Sequence, residues 1–258
     1  AEARRGKLPG MTEDDARRDG AGMVALAMGK MGAGELNYSS DIDLICLFDD
    51  DRFDEGDVME ARSGFIRATR RIAATLGDTT AEGYVFRTDL RLRPNPATTP
   101  ICMAAAAAEA YYESVGRTWE RAAFIKARAA AGDVSAGAGF LARLRPFVWR
   151  RHLDYAAIED AHEIRQKIRS HKGFQGALVL AGHDIKLGQG GIREIEFFAQ
   201  TRQLIAGGRE PALRDRRTRA AIESLSYLRE TYVDSLWSDV IPVDTQFREA
   251  STKALRAE

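Results

Sequence analysis

The chain has 258 residues, 45% apolar and 29% charged, which supports a folded core of one large or two modest domains and excludes a disordered polypeptide. Its 38 basic and 38 acidic residues cancel, so it lacks the basic excess of a protein that grips nucleic acid by its phosphates; a small nucleotide or a protein suits it better as substrate. No apolar stretch approaches the roughly 18 residues of a membrane span, and Cys46 and Cys102, the only cysteines, have no ligand or disulfide spacing, so no membrane and a reducing cytoplasm are expected.

Residues 1–20 are charged and aperiodic and read as a flexible lead-in or the end of a helix from an absent upstream segment; the start without methionine suits a piece of a longer polypeptide. Met23 to Met28 reads as a short buried strand, Gly29 to Ser40 as a loop with a turn of helix, and Asp41 to Phe48 as a second strand. Helical spacing of Phe65, Ile66, Thr69, Ile72, Ala73 and Leu76 places a helix between Val58 and Leu76, stopped by Gly77. From Tyr84 to Arg93 the period becomes two: Tyr84, Phe86, Thr88, Leu90 and Leu92 share a packing face, and Arg87, Asp89, Arg91 and Arg93 share a polar one. Pro94, Pro96 and Pro100 close that strand.

Everything beyond reads helical: a segment from Ala104 through Tyr111, Tyr112, Val115, Trp119, Ala123 and Lys126, others near 140–149 and 153–171, a glycine-bearing loop at 173–182, and a helix after Gly191 with Ile195, Phe198, Ala199 and Ile205 on its apolar side. The expected organisation is a lead-in at 1–20, a mixed sheet with flanking helices at 21–102, a helical domain at 103–230 and a tail of undefined structure at 231–258.

The chemistry concentrates at 29–43. Small residues let backbone N–H groups approach a phosphate, and Asp41 and Asp43, one residue apart on a strand, leave it on the same side. Magnesium takes hard oxygen ligands, commonly one or two carboxylates plus substrate phosphates. Asp89, on the polar face of a second strand, supplies a third carboxylate. Three such acids can hold two cations about 3.5–4 Å apart for phosphoryl or nucleotidyl transfer. Alternating acids on exposed strands, and a surface ladder of ion pairs around Asp89, are the plain alternatives.

Met28 to Leu44 resembles the signature of the glutamine synthetase adenylyltransferase/adenylyl-removing family. It is joined by Asp89-Leu90-Arg91-Leu92-Arg93-Pro94, by Trp119-Glu120-Arg121 with Lys126-Ala127-Arg128, and by Gly190-Gly191-Ile192-Arg193-Glu194-Ile195-Glu196-Phe197. The resemblance covers roughly 22–225 and one of the family's two homologous halves. It implies an α+β fold of nucleotidyltransferase (polymerase-beta-like) type followed by an α-helical domain. Phe147 to Tyr155 and Arg193-Glu194 resemble the N-terminal half, which uses orthophosphate to remove AMP from a tyrosine of glutamine synthetase, releasing ADP. The adenylylating half, which uses ATP, and a non-catalytic module that senses nucleotide or docks the signalling protein PII are the alternatives.

Applied to these residues, the resemblance implies Asp41, Asp43 and Asp89 as catalytic Mg2+ ligands, and Gly29, Lys30, Ser39 and Ser40 around the phosphates. Arg91 and Arg93 become anion clamps, with ion pairing to nearby acids an equal alternative. Gly190-Gly191 opens either an anion pocket or a tight turn; Glu196 is chosen over Glu194 to face the cleft, and Lys186 is a phosphate contact. Trp119 reads as core, Lys126 and Arg128 as solvated, and His152, His162, His171 and His183 as lacking metal-ligand spacing.

Overall fold

A computed structural model of the protein describes residues 1–151, 183–186, 188 and 190–231. The chain divides into the units Ala1–Ala221 and Ile222–Glu258. Of the second, only the end of one helix lies among the described residues. The segments expected at 153–171 and 173–182, three of the four histidines, and the tail from 232 onward lie outside them.

The lead-in is ordered. Helix α1, Glu13–Asp19, starts on a Thr12/Asp15 capping box, with each side chain accepting from the other's backbone N–H, which satisfies two otherwise orphaned donors. Leu8 is buried over Gly64, where a Cβ would fall 2.4 Å from the Lys7 carbonyl oxygen. Glu2 is buried and paired with Arg67 at 2.9 Å. Beside local pairs such as Arg18 with Asp15, Glu2 and Asp19 serve long-range pairs, with Arg67 and Arg52, that no local periodicity reveals.

Strands β1 (Met23–Ala27) and β2 (Ile42–Phe48) are joined through helix α2 (Gly29–Ala33) and a loop. They pair antiparallel, Met23 opposite Phe48 and Ala27 opposite Leu44. After helix α3 (Val58–Gly77) come β3 (Thr88–Asp89) and β4 (Cys102–Ala104). Both run parallel to β2, β3 beside Ile42 and Asp43, and β4 beside Cys46 to Phe48. Helices α4 (Ala105–Val115) and α5 (Thr118–Ile125) follow, broken at Gly116, whose missing Cβ makes room for the Phe147 ring. Strand β5 (Arg128–Gly132) then pairs antiparallel with β1. Helices α6 (Val134–Arg143), α7 (Arg145–Val148), α8 (Ile192–Ala206) and α9 (Thr218–Thr231) complete the described elements. The result is an α+β protein with a mixed sheet and flanking helices, ordered β3-β2-β1-β5 with β4 also on β2.

Alternation along β2 divides the core in two. Ile42, Leu44, Cys46 and Phe48 pack with Phe65 of α3 on one face, where the Phe48 and Phe65 rings stack at 4.9 Å. Ile45 and Leu47 pack with Tyr112, Phe124, Phe140 and Phe147 on the other. Both sheet faces are thus covered, and β2 is apolar throughout except at its start, Asp41 and Asp43.

Three expectations are corrected. The expected strand at 84–93 shrinks to Thr88–Asp89: the Asp89 carboxylate accepts from the Arg91 N–H at 2.8 Å, turning the chain, and Tyr84 and Phe86 are exposed rather than packed. The stretch after 103 is not wholly helical, because β5 enlarges the sheet from outside 21–102. On α8, Ala199 is buried as expected, but Ile195 and Phe198 are exposed and Gln203 is buried in their place; the Gln203 amide donates to the carbonyls of Leu213 and Asp215 at 2.6 and 2.7 Å. Ile72 of α3 is likewise exposed, while Ala61, Phe65 and Thr69 face inward.

Candidate active site

The register of β2 and β3 places Asp43 directly beside Asp89. Asp41 lies two residues before Asp43, with Ile42 between them turned into the core at 2% exposure. Three acids from two neighbouring strands are so gathered at the end of the sheet. Burial, followed by the charges of Asp89 and then Asp41, raises the Asp43 carboxyl above the ordinary aspartate range. Crowded like charges of this kind favour a proton or a cation.

The neighbouring acids are held by arginines. The Asp41 carboxylate accepts from Arg87 Nε at 2.5 Å, and the same guanidinium donates to the Ser39 carbonyl at 2.6 Å. The Asp89 carboxylate accepts from Arg91 Nη2 at 2.6 Å, a hydrogen bond that lowers its pKa. Among the described residues no three acid, histidine or cysteine side chains form a preformed cation cage; Asp41 and Asp89 are paired with Arg87 and Arg91. The donor set itself, three carboxylates with one energetically strained by its neighbours, suits a hard divalent cation.

Gly29 has φ +52°, and a Cβ there would lie 2.8 Å from Asp43 Oδ2. Glycine is required twice, for the left-handed backbone and for the close approach of the carboxylate. Gly32 is pressed equally hard, its Cβ position being 2.0 Å from the Lys126 carbonyl oxygen. Lys30 Nζ donates to Asn37 Oδ1 at 3.4 Å, and Ser40 Oγ donates to the same oxygen at 2.5 Å. Ser39 enters through its carbonyl and a φ of +61°. Asn37 and Arg87 are the residues that organise this loop.

Arg93 donates to the carbonyls of Leu90, Pro96 and Thr99, so its guanidinium secures the proline turn. Arg91 is exposed and paired with Asp89, the ion-pair alternative. Gly190 has φ +73° and donates its N–H to the Glu194 carboxylate at 2.9 Å, the tight-turn alternative. Glu196 does face inward, where it accepts from Lys126 Nζ at 2.8 Å. Lys126 is 4% exposed, which corrects its reading as solvated; the long polar reach to Glu196 and Glu35 explains the burial. The Lys186 ammonium is among the charges that offset the rise in Asp43. Glu120 is buried, accepts from the Arg117 N–H at 2.8 Å to cap α5, and is raised mainly by burial. Sequence reasoning missed Arg87 and Glu35; Arg87 stood on the polar face beside Asp89, which was the available signal.

The profile of the glutamate-ammonia ligase adenylyltransferase family matches residues 3–143, and that of the GlnD PII-uridylyltransferase family matches residues 161–239. A relative from Bradyrhizobium diazoefficiens is 54% identical over 87% of this chain and 22% of its own length. Others from Agrobacterium fabrum and Mesorhizobium japonicum are 50% and 57% identical, over 92% and 77% of this chain and 23% and 20% of theirs. All three are called bifunctional glutamine synthetase adenylyltransferase/adenylyl-removing enzyme. The chain spans about a fifth to a quarter of the length of these relatives. With the acid-bearing β2 and β3 inside the matched residues, the chain belongs to the glutamate-ammonia ligase adenylyltransferase family.

Proposed function

We propose that the chain removes AMP from an adenylylated tyrosine of glutamine synthetase by magnesium-dependent phosphorolysis, giving ADP and the unmodified synthetase in the cytoplasm. The observation that carries this reading is the gathering of Asp41, Asp43 and Asp89 at one end of the sheet, with Asp43 raised by burial and by the other two. The names of the relatives support the substrate, and the motifs at 147–155 and 190–197 support the direction.

Bound at these carboxylates, Mg2+ would supply charge neutralisation for the phosphoryl oxygens. The chain's own residues orient and balance. Asp43, backed by the Gly29 backbone, would hold the ion together with Asp41 and Asp89, whose carboxylates are paired with Arg87 and Arg91. Arg87 and Arg91, freed from these carboxylates, would be the cations available to the anionic oxygens of orthophosphate or the AMP group. The orthophosphate oxygen attacks phosphorus, the bond to the tyrosine oxygen breaks, and the phenolate, with a pKa near 10, leaves without a strong acid. Lys30, Ser39 and Ser40 flank the phosphates, and Lys186 offsets charge near Asp43. Arg93 contributes through the proline turn.

Incubation of the chain with adenylylated glutamine synthetase, Mg2+ and orthophosphate tests this. The expected product is ADP, lost in Asp43→Asn. AMP transfer from ATP to unmodified synthetase, without ADP release from the adenylylated form, would instead establish the second reading, the other of the two activities in the name of the relatives. PII signalling protein is a further proposed partner, on the strength of the profile match at 161–239.

A further inference from the structure

Away from the acids, a buried ammonium joins parts of the chain far apart in sequence. Lys126, at the end of α5, has three N–H donors and three partners: Glu196 Oε1 at 2.8 Å, Thr218 Oγ1 at 2.9 Å and Glu35 Oε2 at 3.4 Å. Glu35 Oε1 in turn accepts from the Thr218 N–H at 2.9 Å. Glu35 opens the loop that carries Asn37 and leads into Asp41, and α2 lies against the Lys126 carbonyl through Gly32. Glu196 sits in the second turn of α8. The first turn of α8 is fastened to the preceding loop, because Ile192 N donates to the Ile185 carbonyl at 2.9 Å and Arg193 N to the Lys186 carbonyl at 3.1 Å.

We propose that Lys126 is a positioning residue of the nucleotidyl-transfer site: it pins α8, and with it the loop that carries Lys186, to the loop before Asp41. This rests on the reading of the acids as the reaction centre. A buried charge bound by two carboxylates from segments 161 positions apart (196 minus 35) has one geometry in which all its donors are met. Removing the ammonium leaves Glu35 and Glu196 facing each other, and their repulsion loosens α8 together with the Lys186 loop.

A double-mutant cycle of Lys126→Met and Lys186→Met, read in the dissociation constant of Mn2+-ADP and in the KM for orthophosphate, tests this. Each single change is expected to weaken binding about tenfold, and the double no more than either alone, because coupled residues are non-additive. Binding of Mn2+ alone is expected to stay within about twofold, and Lys126→Arg to recover most of the loss by keeping the charge. If Lys126→Met does not fold, Glu196→Gln takes its place in the cycle. Additive losses, or loss of Mn2+ binding in parallel, overturn the positioning role. A wild-type chain that binds Mn2+-ADP without turnover leaves the cycle readable from binding alone and counts against the phosphorolysis reading only; one that binds none overturns both.

Discussion

Two charged clusters sit close in the fold and balance their charges in opposite ways. At Lys126, a cation and two carboxylates satisfy one another and a threonine, with the lysine side chain 5% exposed and Glu35 and Glu196 at 29% and 27%. At Asp43, three carboxylates gather, and the most buried of them has no ion pair among the described residues, where arginines hold its neighbours. Internal compensation makes the first cluster architecture. The unmet charge of the second is a standing demand for an outside cation, and that demand is what points to chemistry.

Changes at the second cluster have the largest expected effect on activity. Asp43→Asn and Asp41→Asn are expected to cut ADP release by about a thousandfold or more, as loss of a group that stabilises transition-state charge does, with far-ultraviolet circular dichroism unchanged. Wild-type turnover in Asp43→Asn would erase the distinction between the clusters. At the first cluster the large effect falls on stability: Lys126→Met, which strands two acids, is expected to cost about 3 kcal/mol in urea unfolding, whereas Asp43→Asn costs none.

Gly29→Ala lies between the two. The left-handed φ makes alanine cost about 1–2 kcal/mol, and the new Cβ pushes on Asp43, so activity should fall further than stability does; steady-state kinetics beside thermal melts would show it.

A smaller effect sharpens the electrostatic contrast. Because Asp43 is raised in the folded chain, its contribution to stability is fully present below the unfolded pKa and is lost as pH rises through the folded value. Without divalent cation, Asp43→Asn should therefore melt higher than wild type at pH 7, a gain that shrinks as pH falls towards ~4. The least visible effect is at Cys46, whose thiol is pushed up to about 11 by burial; thiol reagents at pH 8 should label the native chain only as fast as it opens.

Legibility in the sequence followed the same division between local and distant causes. Strand β2 was readable because an apolar run and the acidic run that closes it are local, and Asp89 was found on its strand from the local alternation around it. The alternation of Tyr84 to Arg93 misled because it runs past Asp89, where a side chain capturing the Arg91 N–H turns the backbone. Strand β5 was illegible: Arg-Ala-Ala-Ala-Gly has weak strand propensity, and its small residues answer to α6, where a Cβ on Gly137 would lie 2.8 Å from Ala129 Cβ. Lys126 looked like an ordinary surface lysine because its partners, Glu35, Glu196 and Thr218, are distant in the chain. Arg87 was visible on the right face, yet only the fold shows that it holds Asp41 and Ser39 together.

The central claim, that Asp41, Asp43 and Asp89 together take a divalent cation, is tested most directly by titrating Mn2+ into the wild-type chain and into Asp43→Asn and Asp89→Asn, following free Mn2+ by electron paramagnetic resonance. The account predicts saturable binding by the wild type that each substitution weakens at least tenfold. Equal binding by all three chains, or none by the wild type, would contradict it.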